Sequence, residues 1–191
     1  MNKRKVVGVH HLPRIRDFSE TPSLSNDLFF LRNYEVSPLC KDFRGDIKFV
    51  GSNGEEVYAH KFILVERSMV FRGMFDVDMG KESGIVKCPD VGAPVLRSMV
   101  NFCYTADIEF TEEAPAVELL KIAHTYHIDY LKVVCEDQLV GDIDKESFCR
   151  LLMLARKYDA KLLSEELEEY FRVSFDDVYP VFAKRLCRDD L

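Results

Sequence analysis

The sequence predicts an α+β fold: a small three-stranded sheet surrounded by helices, followed by an all-helical extension. Three observations predict it. Two short runs of alternating polarity flank Gly51-Ser52-Asn53-Gly54, which is how a β-hairpin reads in sequence. The hydrophobic period then changes from that of a strand to that of a helix at His60, and a third apolar run, Ile85 to Cys88, leads into another helical pattern. From Ile143 onward only helical spacing remains.

The elements follow in order. Residues 1–22 set Val6-Val7-Gly8-Val9 among basic residues and end at Thr21-Pro22, which suits a tail or an added strand. The main domain is expected over 23–140 and the extension over 141–191. Ser25-Asn26-Asp27 supplies capping residues ahead of Leu28-Phe29-Phe30-Leu31, and Ser37-Pro38 repeats the signal, so two short helices are expected there. Asp46 to Val50 pairs with a strand carrying Val57 and Ala59 on one face; Phe62, Ile63, Leu64 and Val65 then fit a short helix. Ser68 caps the next, with Val70, Phe71, Met74 and Phe75 on one side and Gly80 and Gly84 beyond its end.

Pro89 stops the strand at Ile85 to Cys88, and Ala93-Pro94 opens a helix with Leu96, Met99, Val100 and Cys103 at i, i+3, i+4 and i+7. Ile108-Glu109-Phe110 reads as a brief strand. Thr111-Glu112-Glu113 is expected to begin a helix burying Val117, Leu120, Ile122 and Ala123, and Ile128 to Leu139 another. Three helical patterns close the chain: Phe148, Leu151, Leu152, Ala155, Tyr158; then Leu162, Leu163, Leu167, Tyr170, Phe171; then Val178, Val181, Phe182.

Composition excludes several function classes. The 191 residues are 47% apolar, enough for one main core plus an appendage, yet no apolar run approaches the roughly 20 residues that cross a bilayer. No secretory h-region follows Lys3, Arg4 and Lys5. A soluble protein of the cytoplasm and/or nucleus is expected, with no membrane partner. The net charge of −7, with basic residues clustered only in Lys3, Arg4, Lys5, Arg14 and Arg16, argues against phosphate-neutralising nucleic-acid binding. None of the six cysteines forms a CxxC, so reduced core thiols are expected.

Catalytic motifs are missing: there is no GxSxG, Walker loop or GxGxxG. His124 and His127 lie three apart near Asp129 and Cys135, but no fourth ligand stands at a metal-binding spacing. We therefore expect no catalytic residues, no cofactor and no metal. His60 is expected to satisfy backbone or carboxylate groups where strand becomes helix, with Asp46 as its partner. Leu28, Phe29, Phe30 and Leu31, ahead of a domain that already has its own core, are expected at an interface between subunits.

Taken in order, Asp46-Ile47-Lys48-Phe49, Ala59-His60-Lys61-Phe62-Ile63-Leu64, Arg67-Ser68, Val70-Phe71, Met74-Phe75 and Met99-Val100-Asn101-Phe102-Cys103-Tyr104-Thr105-Ala106-Asp107 resemble the BTB/POZ domain, over about residues 24 to 140. The helices from Asp144-Lys145-Glu146-Ser147-Phe148 resemble the 3-box, the start of a BACK region, that follows this domain in cullin-3 adaptors. The resemblance implies a non-catalytic homodimer that docks on a cullin-3-type scaffold and, through a region absent from this chain, presents a substrate protein for ubiquitin transfer. It implies a cullin contact at Phe75, Met79, Lys81, Glu82, Tyr126 and Leu154, a dimer contact at Leu28 to Leu31, and structural roles for Asp46 and His60. The family's hydrophobic-x-glutamate triplet reads Met79-Gly80-Lys81 here, with Glu82 displaced by one position. That departure favours an alternative, a homo-oligomerisation or transcription-cofactor-binding module that binds no cullin; the helical extension opposes it.

Overall fold

The computed structural model describes residues 6–7, 45–77 and 84–186, which fall into two compact units, Met1–Ile128 and Asp129–Leu191. The helices expected around Leu28 to Leu31 and Ser37-Pro38, together with Gly80, Cys40 and Cys187, lie outside the described residues.

In the first unit, β1 (Val6–Val7) stands apart in sequence from the hairpin of β2 (Ile47–Val50) and β3 (Glu56–Ala59). The hairpin is in the register Ile47↔Ala59 to Val50↔Glu56, which puts Ile47, Phe49, Val57 and Ala59 on the buried face. Its turn closes as the Asn-Gly signal predicts: Gly54 has φ +79, a left-handed conformation that costs a glycine nothing, and Glu55 N donates to Asn53 Oδ1 at 3.1 Å. Two short helices follow, α1 (Lys61–Arg67) and α2 (Met69–Val77), packed against each other.

They form the crossover to β4 (Ile85–Lys87), which lies parallel to β2 with Lys48 opposite Ile85. The resulting order is β3-β2-β4. Where β4 begins the strands approach so closely that a Cβ on Gly84 would sit 2.4 Å from Asp46 O, while Lys48 N donates to Gly84 O at 2.8 Å. Glycine there is a packing requirement.

The helix α3 (Ala93–Thr105) supplies the centre of the core, burying Leu96, Met99, Val100, Phe102, Cys103 and Tyr104 against β3 and α1. Each such side chain removed from water contributes about 1.5–3 kcal/mol. It ends on Ala106 in the left-handed region, φ 59, whose N–H donates to Phe102 O. Next, β5 (Ile108–Glu109) pairs antiparallel with β1 in a separate two-stranded sheet.

The start expected for the following helix is corrected: α4 runs Ala116–Thr125. Residues Thr111 to Ala114 form a turn in which Ala114 N donates to Thr111 Oγ1 at 3.0 Å, and Pro115 keeps the residue before it out of the helical region. The buried face is accordingly Ala116, Leu119, Leu120, Ile122 and Ala123, with Val117 only half-buried.

The second unit is helical throughout: α5 (Asp129–Val140), α6 (Phe148–Lys157), α7 (Lys161–Val173) and α8 (Phe175–Leu186). The unit break falls ahead of α5, because α7 packs on α5 as closely as on α6. Leu131, Cys135, Leu139, Phe148, Leu151, Ala155, Leu163, Leu167 and Val178 are buried; the side chains of Val181 and Phe182 lie outside the described set. A run of rings extends from this core: Phe148 stacks on Phe171 at 5.6 Å, Phe171 meets Phe175 edge-on at 5.3 Å, and Phe175 stacks on Tyr179 at 5.1 Å.

Candidate functional site

The junction of β3 with α1 is where sequence reasoning expected His60 and Asp46 to meet. Both stand there, but they serve different partners. Asp46 Oδ1 accepts from Lys61 N at 2.8 Å, capping α1 from a neighbouring segment of chain because the extended residue at the cap position, His60, lends it no side-chain bond. His60 instead turns to Tyr104 in α3: its backbone N–H donates to the Tyr104 hydroxyl at 2.8 Å, and its Nδ1 lies 2.6 Å from the same oxygen. One buried hydroxyl thus accepts a hydrogen bond from the His60 backbone and shares a second with the His60 ring, locking the first turn of α1 to the core.

Ser68 performs the corresponding task for α2. It is 3% exposed; its Oγ accepts from Phe71 N at 3.0 Å and donates to the carbonyl of Tyr126, just past the end of α4. The cap expected from sequence is therefore also a tie between α2 and the α4 terminus, which sequence spacing does not disclose.

That tie organises an aromatic ridge. Phe71 is fully buried and packs edge-on to Phe49 of β2 at 5.7 Å. On one side of it Tyr126 stacks at 4.5 Å and 19°; on another Phe75 stacks at 5.8 Å and 5°. Tyr126 and Phe75 are both half-buried, each with a face held by Phe71. The Tyr126 hydroxyl lies 3.2 Å from Cys88 Sγ at the end of β4, and Lys61 Nζ stands 5.8 Å above the Phe75 ring. Three further apolar side chains on α1 and α2 are solvent-facing: Phe62 at 67%, Met69 at 70% and Met74 at 36% exposure.

Such an arrangement presents packed aromatic and apolar surface, and the titratable groups beneath it are held in their neutral forms. Burial pushes the Cys88 thiol and the Tyr126 hydroxyl up, and pushes the Cys103 thiol up to about 12, so these groups hold their protons at neutral pH and Cys103 carries almost no nucleophilic thiolate. Burial also raises Cys135, helped by the neighbouring Glu136 charge. The His124 and His127 rings lie 6.4 Å apart, and among the described residues no group of three or more His, Cys, Asp or Glu side chains is placed to hold a metal. No helix among the described residues is long and apolar enough to cross a membrane.

Of the residues assigned by resemblance to a cullin contact, Phe75 and Tyr126 are brought together around Phe71, and Leu154 is half-buried on α6 in the second unit. Met79, Lys81 and Glu82 lie outside the described residues, as do Leu28, Phe29, Phe30 and Leu31. Sequence reasoning missed Ser68 and Cys88 as supports of Tyr126 and Phe62 and Met69 as exposed apolar positions; only the latter left a signal, apolar residues on helices too short to bury every side.

Comparison with known proteins adds four findings. The BTB/POZ domain family model matches residues 37–143. TD and POZ domain-containing protein 4 of Mus musculus is 31% identical over 127 residues, 65% of this chain and 34% of its own length, so the chain spans about a third of that relative. Among solved structures, the BTB domain of zebrafish PATZ1 matches at 20% identity and a TM-score of 0.47, over 60% of this chain and 91% of that one. The BTB domain of human gigaxonin matches at 18% identity and a TM-score of 0.46, over 65% of this chain and 95% of that one.

Proposed function

We propose, from the premise that this chain belongs to the BTB/POZ domain family and carries that family's protein-interaction module, that it is a non-catalytic, homodimeric substrate adaptor of a cullin-3-type RING ubiquitin ligase, active in the cytoplasm and/or nucleus. The observation that carries the reading is the ridge in which Phe71 holds Phe75 and Tyr126 by their faces, beside the exposed Phe62, Met69 and Met74. Rigid, half-buried aromatic side chains are the anchors from which protein interfaces draw most of their affinity. In this reading Met79, Lys81 and Glu82 extend the contact from the segment after α2, Leu154 extends it from α6, and Leu28 to Leu31 join two subunits. The substrate protein binds to a region outside this chain.

The test is calorimetry against a cullin-3 amino-terminal domain. Binding in the nanomolar to micromolar range is expected, and Phe75→Ala should weaken it by about tenfold or more. Lys81→Glu, which restores the family's charge, should strengthen it. Absence of heat and of co-elution for the native chain overturns the cullin assignment and leaves the alternative, an oligomerisation or transcription-cofactor-binding module, which the lysine at position 81 favours.

A further inference from the structure

The turn between α6 and α7 contradicts its own local sequence at two positions. Asp159 occupies the left-handed position after α6, φ 48, where a glycine is the unstrained choice. Ala160 occupies the cap position of α7 and has no side-chain group to accept from the first N–H groups of that helix, although it is wholly buried. Tyr158 N donates to Leu154 O and Ala160 N to Ala155 O, so the turn is closed by backbone bonds but lacks both of the usual residue types.

Side chains of α5 reach both positions. Lys132 Nζ donates to Asp159 O at 2.7 Å, holding the carbonyl of the left-handed residue. Four residues on, one helical turn along the same face, Glu136 Oε2 accepts from Leu163 N at 3.2 Å, and its carboxylate also faces the Leu162 N–H. Glu136 is 3% exposed, one of two buried polar or charged residues among those described, so its carboxylate is committed to this helix end. Burial raises its pKa, while the Leu163 N–H and the Lys132 charge oppose the rise.

We propose that Lys132 and Glu136 are positioning residues for the docking surface of the helical extension: a two-point clamp from α5 that sets the α6–α7 turn and through it the placement of Leu154, whose carbonyl belongs to that turn. The clamp itself stands on geometry alone; its effect on docking rests on the cullin reading above. Charged side chains on a helix are ordinarily solvated, and committing a buried one to a neighbouring helix end is destabilising unless its bonds are made. The chain keeps this buried acidic group in place of a simple local cap, which makes the turn after α6 dependent on α5.

The experiment uses the full chain as Glu136→Ala, Glu136→Gln, Lys132→Met and Glu136→Ala combined with Ala160→Ser, the last returning a local cap. Amide hydrogen exchange reads the clamp, and affinity for the cullin-3 amino-terminal domain reads its consequence. Glu136→Ala is expected to speed exchange at Leu162 and Leu163 at least tenfold, with the amides of β2 and β3 unchanged, and to weaken cullin binding several-fold; Ala160→Ser should restore both. Should Glu136→Ala fail to fold, Glu136→Gln and Lys132→Met carry the same comparison with smaller shifts. Unchanged exchange at Leu162 and Leu163 overturns the clamp. Faster exchange with unchanged affinity in a chain that binds the cullin domain overturns the positioning role. A native chain that does not bind at all overturns the cullin reading and with it the docking consequence, while the exchange measurements still decide the clamp.

Discussion

The two units start their helices on groups in different surroundings: the Asp46 carboxylate is exposed, the Glu136 carboxyl buried. In the first, α1 and α2 begin on Asp46 and Ser68, and the face they present is fixed by stacked rings. In the second, α7 begins on a buried carboxylate lent by α5, and a lysine holds the preceding turn. An aromatic stack depends little on salt or pH; a buried carboxylate depends on its proton. The difference teaches that stability within one chain can be placed under different controls, and the following experiments break or sharpen it.

The largest effect is expected at the centre of the ridge. Phe71→Ala removes a fully buried ring with three aromatic neighbours and should lower the stability of the first unit by about 3–5 kcal/mol, read as a shift in the urea midpoint. Ser68→Ala comes next. It strands the Phe71 N–H and loosens the tie to the Tyr126 carbonyl, so a loss of about 1–3 kcal/mol is expected, together with weaker binding of any partner that reads Tyr126. Stability unchanged in Ser68→Ala would show that the hydroxyl is not the tie.

In the second unit the expected signature is a pH slope. Glu136 has its pKa raised in the folded chain, chiefly by burial. A raised carboxyl contributes stability that is fully present below its unfolded value of 4.5 and is lost as pH rises through the folded value. The stability of the native chain relative to Glu136→Gln should therefore fall as pH climbs from about 4.5, the unfolded-state pKa, toward neutrality, as read by urea titrations at successive pH values. A flat difference would remove the contrast between the units. The smallest effect is Ala106→Gly: relieving a left-handed alanine at the end of α3 should stabilise the first unit by about 1 kcal/mol, seen as a higher melting temperature.

How much of this was legible in sequence follows from which interactions are local. The hairpin, the change of period at His60, the Ser68 cap and the Pro94 start of α3 are all written within a few residues of where they act, and each stands where it was expected. Pro115 is equally local and sets the start of α4 at Ala116, past the acidic Thr111-Glu112-Glu113 pattern that imitates a helix start.

The site was legible only in part. Resemblance singled out Phe75 and Tyr126, but Phe71 between them read simply as core, and the partner of His60 lies 44 residues away on α3. Glu136 sits among polar neighbours on a helix and reads as solvated; its signal was elsewhere, in an alanine standing where α7 needed a cap.

The parallel pairing of β2 with β4 carries a consequence for how the chain assembles. Lys48 cannot find Ile85 until the intervening helices have brought their ends together, whereas every contact of α6 with α7 spans a short loop. Topology of this kind makes the helical end the faster folder and the sheet the slower, so during synthesis the β2–β3 hairpin emerges first and waits with its β4 edge open. It is during that interval, before Gly84 closes on Asp46, that the young chain is most prone to pair with a neighbour.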